Sequence, residues 1–85
     1  MSYFVYMIMT LRNNKKISYV GYTKDLKKRI IDHNNSKGAK FTKGNKWVLI
    51  YSKKYNNKIL AMKNEYKLKK NYKLRNQIKN NYISK

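Results

Sequence analysis

Residues 3–22 read YFVYMIMTLRNNKKISYVGY, two apolar, aromatic-rich runs on either side of Arg12-Asn13-Asn14-Lys15-Lys16. Runs rich in Val, Ile, Tyr and Phe that flank a polar cluster are strand signals, so Tyr3–Leu11 and Ile17–Tyr22 read as a hairpin. With an even number of residues in the turn, as in the two-residue turns that Asn favours, odd positions of one strand face even positions of the other. Tyr6 and Tyr19 then share one sheet face with Phe4, Ile8, Ile17 and Gly21. Tyr3, Val5, Met7, Val20 and Tyr22 take the opposite face. Both faces are apolar and need cover, which predicts helices on the two sides of a small sheet.

Downstream, Thr23 is placed to cap a helix that has Asp25 in its first turn and runs through Leu26, Ile30 and His33 to a stop at Asn34-Asn35-Ser36. Gly38 and Gly44 bracket a basic loop. Trp47–Tyr55 has strand composition, Asn57 can cap a second helix to about Lys70, and a weaker third helix covers Lys73–Tyr82. No repeat, Pro or linker divides the chain. Residues 1–85 are therefore expected to form one α/β domain, a three-stranded, mainly antiparallel sheet flanked by helices in the order ββαβαα.

Such a domain has one modest core, and without Cys it is held by packing alone. The absence of Cys also excludes thiolate zinc sites and Cys nucleophiles. No apolar run approaches the roughly 20 residues that span a bilayer, and Met1–Met9 lacks the basic region and cleavage site of a signal peptide. An intracellular protein is expected, cytoplasmic or nucleoid-associated. Its formal net charge of +19 is the footprint of a nucleic-acid binder. An AT-rich genome would also enrich Lys, Asn, Ile and Tyr, but so large a charge attracts polyanions whatever its origin. A membrane surface is the weaker partner, because the basic residues do not segregate into one amphipathic helix.

Only three acidic residues are present. One of them, Glu65, falls on an apolar helical stripe with Ala61, Met62 and Leu68 by i+3 and i+4 spacing. A charged carboxylate on such a stripe needs a cation: an Arg, a Lys or a metal. Lys69, four residues on, supplies the ordinary ion-pair alternative. Arg29 and His33 are also four apart, stacked beside Leu26 and Ile30 and turned partly toward the core. Lys37, Lys40, Lys43 and Lys46 recur every third residue through the Gly-bracketed loop, as a phosphate-tracking or a merely solvated segment would.

Phe4-Val5-Tyr6, Tyr19-Val20-Gly21, Arg29, His33 and Glu65, in this order, resemble the GIY-YIG nuclease domain over about residues 3–70. The leading Gly of the first tripeptide is replaced by Phe4, as in small stand-alone members. Gly21-Tyr22-Thr23-Lys24-Asp25-Leu26, His33-Asn34 and Gly38-Ala39-Lys40-Phe41-Thr42 are similar to the bacterial-type, structure-specific subgroup, whose members act in DNA repair and recombination. Asn76 and Asn80 are both candidates for a C-terminal Asn that some members use. The resemblance implies a divalent-metal-dependent endonuclease acting on branched, flapped or single-strand-containing DNA. Sequence specificity would be weak or supplied by a protein partner.

In that reading Glu65 binds Mg²⁺, or Mn²⁺, and Arg29 clamps phosphate oxygens through its fork. Tyr6 is the first candidate for the base that deprotonates water and Tyr19 the second, with His33 holding a Tyr or moving a proton. Lys37, Lys40, Lys43, Lys46 and Lys69 contact the nucleic acid. A free phenol, with a pKa of about 10, is ionised in only about one molecule in a thousand at neutral pH, a deficit of roughly 4 kcal/mol. Arg29, His33 and the lysines are expected to reduce it. The competing reading is a non-catalytic DNA- or RNA-binding module on the same scaffold, since strand tyrosines are ordinarily core packing and binding alone needs only the lysines.

Overall fold

The computed structural model describes residues 2–84; Met1 and Lys85, the ends of the expected 1–85 domain, lie outside the described residues. Strands β1 (Tyr3–Arg12) and β2 (Lys15–Thr23) are followed by helix α1 (Leu26–Asn34), a short 3₁₀ turn (Lys40–Thr42), strand β3 (Val48–Tyr55) and helices α2 (Lys58–Lys70) and α3 (Tyr72–Ile83). The sheet is antiparallel throughout, ordered β2-β1-β3, so β1 is central.

The hairpin closes through a two-residue turn, with Arg12 opposite Lys15. Both turn residues are left-handed, Asn13 at φ 51 and Asn14 at φ 64. Asn tolerates that region better than most residues, and this turn's twist matches the strands it joins. The register puts Tyr6 opposite Gly21 and Ile8 opposite Tyr19. Tyr6, Ile8 and Trp47 pack on one face with Ile17, Tyr19, Leu49 and the α1 residues Leu26 and Ile30. On the other face Val5, Met7 and Val20 meet Ala61 and Leu68 of α2 and Ile78 of α3. Each fully buried aliphatic or Met side chain in these layers contributes about 1.5–3 kcal/mol.

Several boundaries differ from those expected. Thr23 stays in β2 opposite Phe4, so α1 is capped by Asp25, whose carboxylate accepts from Lys28 N at 3.1 Å. The Thr23 hydroxyl instead accepts from Asp25 N. Trp47 lies just outside β3, because its backbone is clamped by the Asn34 carboxamide: Trp47 N donates to Oδ1 at 2.6 Å and Asn34 Nδ2 donates to Trp47 O at 3.1 Å. Asn57 caps α2 as expected, and Asn71 caps α3 through Leu74 N, starting that helix at Tyr72. Met62 leaves the apolar stripe and is 45% exposed, because the contact of α2 with the sheet narrows to Ala61 and Leu68.

Strand β3 carries a bulge against β1. Met7 pairs with Tyr51 and Ile8 with Leu49, leaving Ile50 without a partner. The extra residue reverses the alternation, so Leu49 packs toward α1 whereas both Ile50 and Tyr51 pack toward α2.

Candidate active site

The α1 face of the sheet brings together four of the five expected catalytic side chains. Tyr6, from the central strand, is fully buried, and its hydroxyl lies 2.7 Å from His33 Nε2. Arg29, one turn before His33 on α1, is half-buried and directs Nε to the same hydroxyl at 3.4 Å. Tyr19 is half-buried, with its ring centroid 5.2 Å from that of His33.

Two glycines make room for this cluster. A Cβ on Gly21 would sit 2.5 Å from the Tyr6 hydroxyl, so the hydroxyl end of the phenol lies over a position that must lack a side chain. Gly38 stands in the same relation to the His33 ring, where a Cβ would approach Cε1 to 2.8 Å.

Thr42, a residue for which the sequence suggested no role, determines which way the imidazole carries its proton. The Thr42 hydroxyl donates to Ala39 O at 2.8 Å, which uses its single proton. It must therefore accept at its 2.8 Å contact with His33, so Nδ1 carries the hydrogen. In neutral His33, Nε2 is then the bare nitrogen and accepts the phenol proton of Tyr6. The result is a directed chain: Tyr6 O–H to His33, His33 Nδ1–H to Thr42, Thr42 O–H to Ala39. Thr42 is itself held by the Trp47 indole N–H, which donates to its carbonyl at 2.8 Å.

Burial keeps the groups of this chain neutral. His33 is pushed below its ordinary value, first by burial and then by the Arg29 charge, with Asp32 opposing. The Tyr6 phenol is pushed up, which reverses the expectation drawn from its cationic neighbours. Arg29 does lower it, through its hydrogen bond and its charge, but desolvation of the buried ring outweighs both. The Tyr6 contact in turn raises Arg29, which stays charged.

Glu65 approaches from α2. Its charge adds slightly to the upward push on Tyr6. Its carboxylate, 18% exposed, pairs with half-exposed Lys69 at 3.6 Å, too long for a hydrogen bond. No cluster of three or more His, Cys, Asp or Glu side chains occurs among the described residues. Mg²⁺ does not require one, because it keeps several waters and is held by one or two carboxylates together with substrate phosphates. A lone, loosely paired carboxylate fits that ion. Lys37, Lys40, Lys43 and Lys46 are all exposed along the loop between α1 and β3. On α3, Asn76 is half-buried and Asn80 exposed. Among the described residues no helix is long and apolar enough to cross a membrane.

The profile of the GIY-YIG catalytic domain matches residues 2–81. A UPF0213 protein of Staphylococcus epidermidis, SERP0126, is 44% identical over 68 residues, covering 79% of this chain and 79% of that protein. UPF0213 protein YazA of Bacillus subtilis is 49% identical over 53 residues, or 61% of this chain and 54% of that protein. The solution NMR structure of UPF0213 protein BH0048 from Bacillus halodurans is similar at a TM-score of 0.51 and 32% identity. That match covers 92% of this chain and 82% of the other.

Proposed function

The chain belongs to the GIY-YIG nuclease family, and from that premise we propose that it is a divalent-metal-dependent endonuclease that hydrolyses phosphodiester bonds in branched, flapped or otherwise distorted DNA. The observation that carries this reading is the 2.7 Å contact between the Tyr6 hydroxyl and the acceptor nitrogen of His33. A buried phenol needs some acceptor; what supports catalysis here is that the acceptor is an imidazole, able to take up the proton, whose bare nitrogen is fixed toward the hydroxyl by the buried Thr42.

Because burial raises the phenol's pKa, phenolate is not the resting form. Water is instead deprotonated in a relay. As the water oxygen bonds to phosphorus, its proton passes to the Tyr6 oxygen and the phenol's own proton passes to His33 Nε2, while the bond to the leaving oxygen breaks; that oxygen departs as an alkoxide and takes its proton from solvent water, and His33 returns its own to solvent through the phenol. His33 suits this task because its depressed pKa keeps it neutral and ready to accept. The half-buried Arg29 donates to the hydroxyl of the sealed phenol, and its guanidinium, drawn to a phosphate oxygen, would free that hydroxyl for water while stabilising the charge that develops. Glu65 would hold a Mg²⁺ or Mn²⁺ ion, which when bound supplies Lewis-acid stabilisation of the phosphate. The surface lysines, Lys69 among them, give affinity without sequence preference, so any sequence choice comes from a protein partner. DNA repair or recombination is the setting that such substrates imply.

The Glu65–Lys69 ion pair favours the second reading, a nucleic-acid-binding module in which Glu65 is only a structural charge. One experiment separates the two. Labelled single strands, duplexes, flaps and four-way junctions are incubated with wild type and Glu65→Gln in Mg²⁺, Mn²⁺ or EDTA. Both proteins should bind with the same log-log salt slope, about −0.9 per phosphate neutralised, while cleavage disappears in the variant and in EDTA. Wild-type cutting by Glu65→Gln sinks the metal assignment. Binding without cutting by either protein establishes the module.

A further inference from the structure

We propose that Phe41 is a stacking platform for one unpaired nucleobase of the strand being cut, so that this protein selects the end of a base stack and not a sequence. The placement beside the scissile phosphate rests on the nuclease reading; the stacking itself does not.

Phe41 is 58% exposed, an unusual state for a ring held so firmly. It stacks on Tyr19 at 6.1 Å and 23° and leans against Trp47 at 6.3 Å and 43°. The residue after it, Thr42, is fully buried and fixed at three points: Ala39 O, His33 Nδ1 and the Trp47 indole. Asn34 clamps the backbone of Trp47 from α1. The exposed ring is thus pre-positioned at a constant distance from the His33–Tyr6 pair. A single ring separates it from the imidazole, since Tyr19 neighbours both Phe41 and His33.

Its surroundings identify the ligand. Lys40 and Lys43 lie within two residues of it along the chain and Lys37 four residues before it, all exposed on the same loop. An exposed apolar ring on a lysine-rich loop suits a partner that presents a flat π-face with anionic groups at its edges, which is a nucleotide. Inside a duplex both faces of every base are covered by neighbours. Phe41 can be used only where stacking is interrupted, in a single strand, at a flap junction or at a frayed end.

The test reads binding and cutting separately. Single-stranded oligonucleotides carrying one 2-aminopurine at successive positions are mixed with wild type, Phe41→Leu and Phe41→Tyr in EDTA. Leu keeps apolar contact with Tyr19 and Trp47, and Tyr keeps the ring. Fluorescence should be quenched at one position by wild type and Phe41→Tyr but not by Phe41→Leu. Single-strand affinity should fall about 5- to 150-fold in Phe41→Leu, the loss expected for one stacked base, with blunt-duplex affinity unchanged. An abasic nucleotide at the quenched position should weaken wild type by a similar factor and Phe41→Leu no further. Quenching that survives in Phe41→Leu, or an abasic scan of wild type that finds no sensitive position, overturns the proposal, and the scan needs no variant to fold. Cutting in Mg²⁺ is scored independently. Phe41-dependent quenching without cutting retains the platform and rejects the nuclease; cutting without Phe41-dependent quenching does the reverse.

Discussion

Gly21→Ala isolates one contact on which the whole relay depends. The backbone of Gly21 does not occupy the left-handed region, so alanine meets no conformational obstacle and the effect is that of a single methyl group. That methyl would lie 2.5 Å from the Tyr6 hydroxyl and 2.7 Å from the ring carbon bearing it, whereas ordinary contact begins at 3.4 Å. The hydroxyl must therefore retreat by about 0.9 Å. A fully buried ring has no free space to move into, so the retreat strains the core and pulls the oxygen off its 2.7 Å bond to His33. Overpacking of this kind costs about 1–3 kcal/mol, or roughly 5–20 °C in Tm for a domain of this size. A misplacement near 1 Å costs about 10²-fold in rate. The assay pairs thermal unfolding with cleavage of a flap at a temperature where both proteins are folded. Tyr6→Phe serves as the second arm because it deletes the atom nearest the new methyl, so Gly21→Ala should destabilise that background less than wild type. Wild-type cutting by Gly21→Ala, or the same loss of stability in both backgrounds, would refute the reasoning.

Thr42→Val keeps shape but leaves His33 Nδ1–H unpaired, while Ala39 O keeps its bond from Thr42 N; a loss of about 1–3 kcal/mol by denaturant unfolding and at least tenfold slower cleavage are expected, with Thr42→Ser restoring both. Tyr6→Phe should fold and cut at least 10²-fold more slowly, while Tyr19→Phe, lacking a role in the relay, should lose less; the opposite ranking in single-turnover cleavage exchanges the two assignments. His33 is charged less readily in the fold than in the unfolded chain, so folding loses stability as pH falls below about 6.5, where only the unfolded state takes up the proton. The groups facing it are Tyr6, Tyr19, Thr42, Arg29 and Asp32, and His33→Gln should flatten the Tm profile between pH 7 and 5. For the same reason, wild-type kcat/KM should hold its plateau down to pH 6.5 and decline only below it.

The hairpin was the most legible part of this chain, because Asn13-Asn14 defines a two-residue turn and that alone puts Tyr6 and Tyr19 on one face. Helical spacing likewise brought Arg29 and His33 together. Thr42 stood in the sequence only as the last residue of the Gly38-Ala39-Lys40-Phe41-Thr42 resemblance, with no role attached, because a threonine in a loop belongs to no period; the same stretch supplies Gly38, whose missing side chain makes room for the imidazole that Thr42 holds. The direction of the Tyr6 shift was hidden for a different reason. Sequence supplies the charges around a phenol but not the depth at which it lies, and here depth outweighs charge. Trp47 had the composition of a strand residue, yet its backbone hydrogen bonds go to the Asn34 carboxamide, a choice that no local pattern encodes.

The unpaired Ile50 gives one short strand two addresses. Upstream of it, Leu49 and the preceding Trp47 report to the chemistry, since the indole steadies Thr42; downstream, Tyr51 and Tyr55 report to the layer under α2. Mutations a few residues apart along β3 should therefore sort into different phenotypes, altered turnover before the bulge and altered stability after it. Deleting Ile50 would cost its own contact with the layer under α2 but keep every cross-strand pair, because Leu49 and Tyr51 would then alternate as neighbours in a regular strand do and Trp47 would keep its side. Elsewhere in the strand a single insertion or deletion would swap the faces of everything on one side of it, so the bulge, at a residue that touches no catalytic group, is where β3 can change length by one.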